Sequence, residues 1–295
     1  REQIMRIGVD LGGTKIEGVL ISPDGKIISR FRVPTPTGDY AATLDAVDRL
    51  IRELTDDPDM PIGIGTPGSI SRISPLMRNA NSTCLNDKPL LEDLENKLAR
   101  PVRIANDADC FTLSEASDGA AAGSSVVFGV ILGTGVGGGI CINGNLLSGV
   151  NGIAGEWGHI PLPDSPGQDR SCFCGRVNCV ETWLSGPGLA RTYELMSGSK
   201  KSAEEIADLA SKGNMTATNT LDEYCSRLAG ALAIVVNIVD PDTIVLGGGL
   251  SNIDLLYDLL PVRLAPHVFS DHVETRIVKA RHGDSSGVRG AAWLF

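Results

Sequence analysis

At a prior of roughly 150 residues per domain, a chain of 295 residues has room for two lobes, each able to bury its own core. Hydrophobic residues make up 42% and charged residues 21%, which excludes a disordered chain, and no apolar run reaches the ~20 residues of a bilayer span. A net charge of -10 with no basic stripe argues against nucleic acid as a partner. The opening Arg1-Glu2-Gln3-Ile4 lacks the order of a secretory leader and Met5 reads as the native start, so a cytoplasmic protein is expected. Seven cysteines, three of them crowded at 172, 174 and 179, fit a reducing compartment and a metal better than a disulfide framework.

In chain order, residues 5–11 read as a strand, Gly12-Gly13 as a turn and 16–22 as a second strand. Pro23-Asp24-Gly25 then turns the chain into a third strand at 26–33. Leu44, Val47, Leu50, Ile51 and Leu54 fall at helical spacing in 41–54, and Ile62 opens a short strand stopped by Thr66-Pro67-Gly68. A strand at 102–104 leads into Asn106-Asp107-Ala108-Asp109 and a helix to 117. Gly8-Val9-Asp10-Leu11-Gly12 then recurs as Gly129-Val130-Ile131-Leu132-Gly133, and both copies continue into a Gly/Thr turn, a second strand and another turn. A long helix over 222–239 precedes a strand at 243–246, the run Gly247-Gly248-Gly249 and a last helix at 288–295.

Asp10-Leu11-Gly12-Gly13-Thr14-Lys15 sets a carboxylate beside bare backbone, which lets N–H groups approach phosphate oxygens, and Gly133-Thr134-Gly135-Val136-Gly137 repeats the device. The plainer alternative is two tight hairpins in which glycine supplies positive φ. No Walker A or Rossmann spacing is present, so those nucleotide folds drop out. Asp10 is a candidate Mg²⁺ residue. Asp107 precedes a helix, where the macrodipole favours an ionised carboxylate able to accept a hydroxyl proton, and Asp109 is assigned to capping. Asn79, Asn81, Asn106, Glu156, His159 and Glu181 are polar candidates for a hydroxyl-rich ligand, or for satisfying loop backbone. His159 with Cys172, Cys174 and Cys179 forms the Cys₃His set of a closed zinc site. The tight C-x-C spacing leaves open which four residues ligate, and buried thiols beside a core histidine are the alternative.

These residues together, with Gly155-Glu156-Trp157-Gly158-His159 and Gly247-Gly248-Gly249, resemble in order and nearly end to end the ROK family, named for its repressors, open reading frames and kinases. The resemblance implies an α/β, two-lobed actin-like (ribonuclease H-like duplicated) ATPase fold with a cleft between the lobes. The first lobe is expected over 1–118 with a helix from 284–295 packing back on it, and the second over 119–283. It further implies Asp107 as general base and Gly68, Asn81, Asn106, Asp107, Glu156, His159 and Glu181 around the sugar. Asp10, Gly12, Gly13, Thr14, Lys15, Gly133, Thr134, Gly135, Gly137, Gly247, Gly248 and Gly249 would serve the nucleotide. His159, Cys172, Cys174 and Cys179 would hold structural zinc, making His159 both a ligand and a wall of the sugar pocket. Asn178 and Asp109 depart from the family's usual glycine and asparagine; an αL asparagine accommodates the first. Within the family the motifs look most like fructokinases of the manno(fructo)kinase type. The expected activity is therefore ATP- and Mg²⁺-dependent phosphorylation of the 6-hydroxyl of fructose, with mannose or glucose as further substrates, by a homodimer. N-acetylglucosamine kinase and glucokinase are the kinase alternatives. Sugar-sensing repressors carry a DNA-binding domain ahead of the first glycine turn, and the start at Asp10 leaves no room for one; a non-catalytic sugar-binding regulatory module is the remaining alternative.

Overall fold

The computed structural model describes residues 4–165 and 167–295. Arg1 to Gln3, on which the expected absence of a leader partly rests, and Pro166 lie outside the described residues. The chain divides into two compact units. One comprises Arg1–Ala122, Gly144–Ala154 and Asp284–Phe295, and the other Gly123–Asn143 and Gly155–Gly283.

The first unit opens with the meander β1 (Arg6–Leu11), β2 (Lys15–Ile21) and β3 (Ile27–Pro34), followed by α1 (Tyr40–Leu54) and β4 (Ile62–Thr66). The short pair β5 (Ser69–Ile70) and β6 (Met77–Arg78), then α2 (Leu90–Leu98), β7 (Val102–Asn106) and α3 (Asp107–Ser117), complete its first stretch. The second unit carries the hairpin β8 (Val126–Leu132) and β9 (Val136–Ile142), and the two-residue β10 (Asn145–Leu146) belongs to the first. Helices α4 (Val180–Leu184), α5 (Gly186–Ser197), α6 (Ala203–Ser211) and α7 (Met215–Val239) follow. After them come β11 (Thr243–Gly247), α8 (Leu255–Leu264), β12 (Arg276–Lys279) and α9 (Ser286–Ala292).

Both units use one plan. In the first sheet the order is β3-β2-β1-β4-β7, with β1 antiparallel to β2 and parallel to β4. The strands of the second unit run β9-β8-β11-β12 within a sheet that β10 completes beside β9, with β8 antiparallel to β9 and parallel to β11. The sequence repeat therefore marks the same strand of each sheet, β1 and β8, and parallel neighbours on one side require the helical crossovers that follow.

Helix α1 forms because Asp39 caps it, accepting from the Ala42 N–H at 2.9 Å, and because Val47, Leu50, Ile51 and Leu54 bury one face. Each such side chain contributes roughly 1.5–3 kcal/mol of gross burial. Helix α9 belongs to the first unit, where a methyl at Gly63 or Gly290 would collide with Ala291 or Cys110 backbone. Glycine at both positions lets α9 lie directly on β4 and α3. Two boundaries differ from expectation. Residues 119–122 stay with α3 because Glu115 accepts the Ala120 N–H and its carbonyl accepts that of Ala121. Residues 144–154 join the first unit, where Arg72 donates to the Gly149 carbonyl at 3.3 Å. No helix among the described residues is long and apolar enough to cross a membrane.

Candidate active site and metal centre

In the first unit, the glycine turn at 12–14 is held by Thr35, whose hydroxyl donates to the Gly12 carbonyl at 2.7 Å and whose N–H donates to the Thr14 carbonyl at 3.0 Å. Neither Gly12 nor Gly13 has positive φ, so the plain hairpin explanation does not account for them. A methyl at Gly12 would meet the Lys15 carbonyl at 2.7 Å, and one at Gly13 would sit 3.5 Å from the Ser82 hydroxyl, which places the turn beside the 79–82 loop. That loop in turn packs on Gly68, at φ 88°, where a side chain would strike the Ala80 N–H. Asn106 ties in β7 by donating from Nδ2 to the Gly68 carbonyl at 3.2 Å. Gly68, Asn81 and Asn106 are thus brought to one neighbourhood.

The cap of α3 is Asn106, not Asp109: its Oδ1 accepts the Ala108 N–H at 2.8 Å, while Asp109 lies inside the first turn. A residue directly before the helix has the extended backbone that bends its side chain back to the N2 donor, and Asn106 has it. Asp107 is the first helical residue, and its Oδ1 also accepts the Ala108 N–H at 2.8 Å. Asp107 as a residue is exposed, yet desolvation by the surrounding protein pushes its pKa above the ordinary value, and the hydrogen bonds from Ala108 and its own N–H only partly oppose this. The expected lowering by the helix terminus is therefore outweighed. Desolvation, then repulsion from Asp107 and Glu17, raises Asp10 to about 6. A desolvated carboxylate with a second carboxylate close enough to raise its pKa suits a divalent cation.

The Asp10 shift has a sign that can be checked. Its folded pKa lies above the unfolded 3.8, so the stability it contributes is fully present below pH ~4 and lost as the pH rises through 6. Asp10→Asn should raise stability at pH ~8 by about 2–3 kcal/mol and leave it unchanged near pH 4, while lowering turnover. Denaturant titrations at the two pH values decide this; equal stabilisation at both would contradict the raised pKa.

In the second unit, Gly133 and Thr134 line a cavity of about 690 Å³ together with Gly186, Ala203, Gly249 and Asn252. Methyl groups at Gly133 and Gly249 would meet no protein atom within 4 Å, and neither glycine has positive φ. Bare backbone therefore faces open space, which is what close approach of a phosphorylated ligand requires. The other four expected glycines lie outside this cavity. Gly137 sits in β9 opposite Ile131, with its carbonyl taken by Trp157 Nε1 at 2.9 Å. Gly247 closes β11, Gly248 backs onto Leu132, and Gly135 faces the Glu181 carboxylate. The contributions of α5 and α6, Gly186 and Ala203 among them, were missed by sequence reasoning, although Ser202 and Glu205 form a readable capping box at the start of α6.

Glu156 precedes and His159 ends a short 3-10 turn at Trp157–His159 that lies on β9: at Gly155 and Gly158 a side chain would strike Gly138 and Val136 backbone. Glu181, on α4, accepts the Val136 N–H at 2.9 Å. The three expected sugar residues of this unit thus converge on the start of β9.

His159, Cys172, Cys174 and Cys179 come together with all their ligand atoms within 4.8 Å of one another. Cys172 Sγ lies 3.6 Å from His159 Nδ1, and Cys174 Sγ 3.6 Å from Cys179 Sγ. A tetrahedron with metal–sulfur bonds of ~2.3 Å and a metal–nitrogen bond of ~2.0 Å has edges of about 3.5–3.8 Å, so the donor set fits zinc. Asn178 adopts φ 56°, and its side chain does more than glycine could: Oδ1 accepts from the Arg170 N–H at 2.9 Å and Nδ2 donates to Asp169 at 2.9 Å. Arg170, 1% exposed, anchors the loop by donating to the Thr182 and Gly188 carbonyls while stacking 3.5 Å above Trp183.

Two units on one strand order, each with a glycine turn at the tip of its leading hairpin, define the duplicated α/β fold of the actin-like ATPases. The ROK family pattern matches residues 6–295. An N-acetyl-D-glucosamine kinase from Haemophilus influenzae (strain 86-028NP) is 40% identical, covering 99% of each chain. Among solved structures, a ROK hexokinase from Thermus thermophilus superposes with a TM-score of 0.86 at 29% identity, covering 99% of this chain and 97% of the other. A ROK family glucokinase from Streptomyces griseus, in complex with glucose and AMPPNP, gives 0.75 at 28% identity over 99% of both chains. The chain belongs to the ROK family, among its sugar kinases.

Proposed function

We propose that the protein is an ATP-dependent N-acetyl-D-glucosamine 6-kinase. The relation to the Haemophilus enzyme, 40% identity over 99% of both chains, carries the choice of sugar. Fructose, the expectation from motif resemblance, gives way to it. The open backbone of Gly133 and Gly249 in the second-unit cavity supports ATP as donor.

In this reading Asp107 accepts the proton of the attacking sugar hydroxyl, and Asn106 and Gly68 hold the sugar from the same unit. Glu156, His159 and Glu181 contact its other hydroxyls. Magnesium arrives with ATP as part of the substrate and is met by Asp10, while the turn amides absorb phosphate charge. Zinc on His159, Cys172, Cys174 and Cys179 would supply fixed geometry and no activated water, since all four positions are filled by protein. A cytoplasmic homodimer is part of the same proposal.

The test is ADP release measured over a panel of N-acetylglucosamine, glucose, mannose and fructose. The expected result is a kcat/KM for N-acetylglucosamine ~10-fold or more above each of the others. A preference for fructose would restore the motif-based reading, and no activity with any sugar would favour a non-catalytic binding module.

A further inference from the structure

Glu181 makes one contact that sugar binding does not use. Its Oε2 accepts the N–H of Val136, the residue that ends the 133–135 turn and begins β9. A methyl at Gly135 would sit 2.6 Å from that same oxygen, so the carboxylate lies directly against the turn. On the other flank, the Gly133 carbonyl accepts the N–H of Gly186, the first residue of α5, at 2.8 Å. Only Ser185 separates α4 from α5, and its hydroxyl caps α5 by accepting from the Gly188 N–H at 3.2 Å. One α4–α5 corner therefore clasps the turn at both ends, through Glu181 and Gly186, and Gly133, Thr134 and Gly186 all line the nucleotide-sized cavity. Oε1 of Glu181 makes no hydrogen bond among the described residues.

We infer that Glu181 is a positioning residue for the nucleotide turn, and that its single carboxylate joins the two substrates: Oε1 receives a sugar hydroxyl while Oε2 holds Val136. This rests on the proposed reading in which Glu181 contacts the sugar. A sugar hydroxyl on Oε1 fixes the carboxylate, and the fixed carboxylate orders the turn that meets the nucleotide. The ordering cost is then already met when the second ligand arrives. By linkage, each substrate tightens the other by the same factor.

Calorimetric titration of a non-hydrolysable ATP analogue with Mg²⁺, with and without saturating N-acetylglucosamine, reads this coupling. Hydrogen exchange at the Val136 amide reads the clasp. In the unaltered protein the sugar should raise nucleotide affinity ~5-fold or more. In Glu181→Ala the sugar-free nucleotide affinity should fall ~5-fold or more, Val136 should exchange at least ~10-fold faster, and the coupling should drop to about one. Gly135→Ala displaces Oε2 without removing the carboxylate, and because Gly135 lacks positive φ the substitution introduces no backbone strain. It should weaken nucleotide binding and coupling in the same direction, and it keeps the test alive if Glu181→Ala fails to fold. Unchanged nucleotide affinity and Val136 exchange in both variants would overturn the positioning role. Unchanged sugar affinity in Glu181→Ala, with Val136 exchange accelerated, would instead strike the sugar contact, and the coupling with it, while leaving the clasp standing.

Discussion

Asp107→Asn should lower kcat by ~10²-fold or more, since a positioned general base contributes about 10²–10⁴-fold. The substitution is conservative where structure is concerned. Asparagine retains an Oδ1 that can accept the Ala108 N–H, and the α3 cap resides on Asn106, which is untouched. The melting transition should therefore not fall, and above the raised pKa it should move up, because the substitution removes a carboxylate whose ionised form burial disfavours. Desolvation raises the Asp107 pKa, which makes the carboxylate a stronger base and also sets an acid limb: activity falls as pH drops through that raised value. In Asp107→Asn this limb should vanish along with most of the turnover, leaving a low and flat acid side. A pH–rate profile of both proteins with melting curves alongside is the measurement. Near-normal turnover, or an acid limb that survives the substitution, would move the base to another residue.

The sequence made the scaffold readable where a single local signal decided the structure. Strands β1 to β3 follow from Gly12-Gly13 and Pro23-Asp24-Gly25, because such turns leave the flanking alternation no other course. The candidate metal ligands were legible because three cysteines fall in one short segment and are rare enough to stand out. The front of α7 was missed: Met215 to Leu221 holds Thr216, Thr218, Asn219 and Thr220, poor helix formers without an apolar stripe. The helix forms there because Asn214 caps it, accepting the Ala217 N–H, and because Ala217, Thr220 and Leu221 are buried. Helix α5 was hidden by Gly186-Pro187-Gly188, which reads as a turn although proline at the first helical turn after a serine cap is a start signal. The cavity was legible only in part, since its walls come from the β8–β9 turn, α5, α6 and the segment after β11. No spacing rule brings such distant residues together; packing does.

Removing the metal is expected to act on the sugar first. Among its described residues, the segment between His159 and α4 has little regular structure: the isolated bridges Pro161 with Cys179 and Ser171 with Val177, the Arg170 and Asn178 contacts and the buried Leu162 help tie it down. The exposed Phe173 and Val177 give it little core of its own. Part of its order is then expected to come from the four candidate ligands beside the Arg170 anchor, and the free energy of binding zinc would to that extent be folding free energy of the loop. Cys179 is the residue immediately before α4, two positions from Glu181, and His159 belongs to the turn that carries Glu156. Loss of the ion loosens three proposed sugar contacts at once. Chelation, or Cys179→Ser, should release zinc from the protein and raise the sugar KM ~10-fold or more, by the measure of losses seen when supporting shells of metal sites are disturbed. It should also open residues 163–178 to limited proteolysis. The proposed base Asp107 lies on α3 in the other unit and keeps its Ala108 partner, so kcat should fall less than KM rises. Zinc content, steady-state kinetics and protease mapping on the same sample separate the outcomes. A metal-free protein with an unchanged sugar KM and an uncut loop would show that Arg170 and the two bridges suffice, and would reduce the four ligands to a cluster without a structural task.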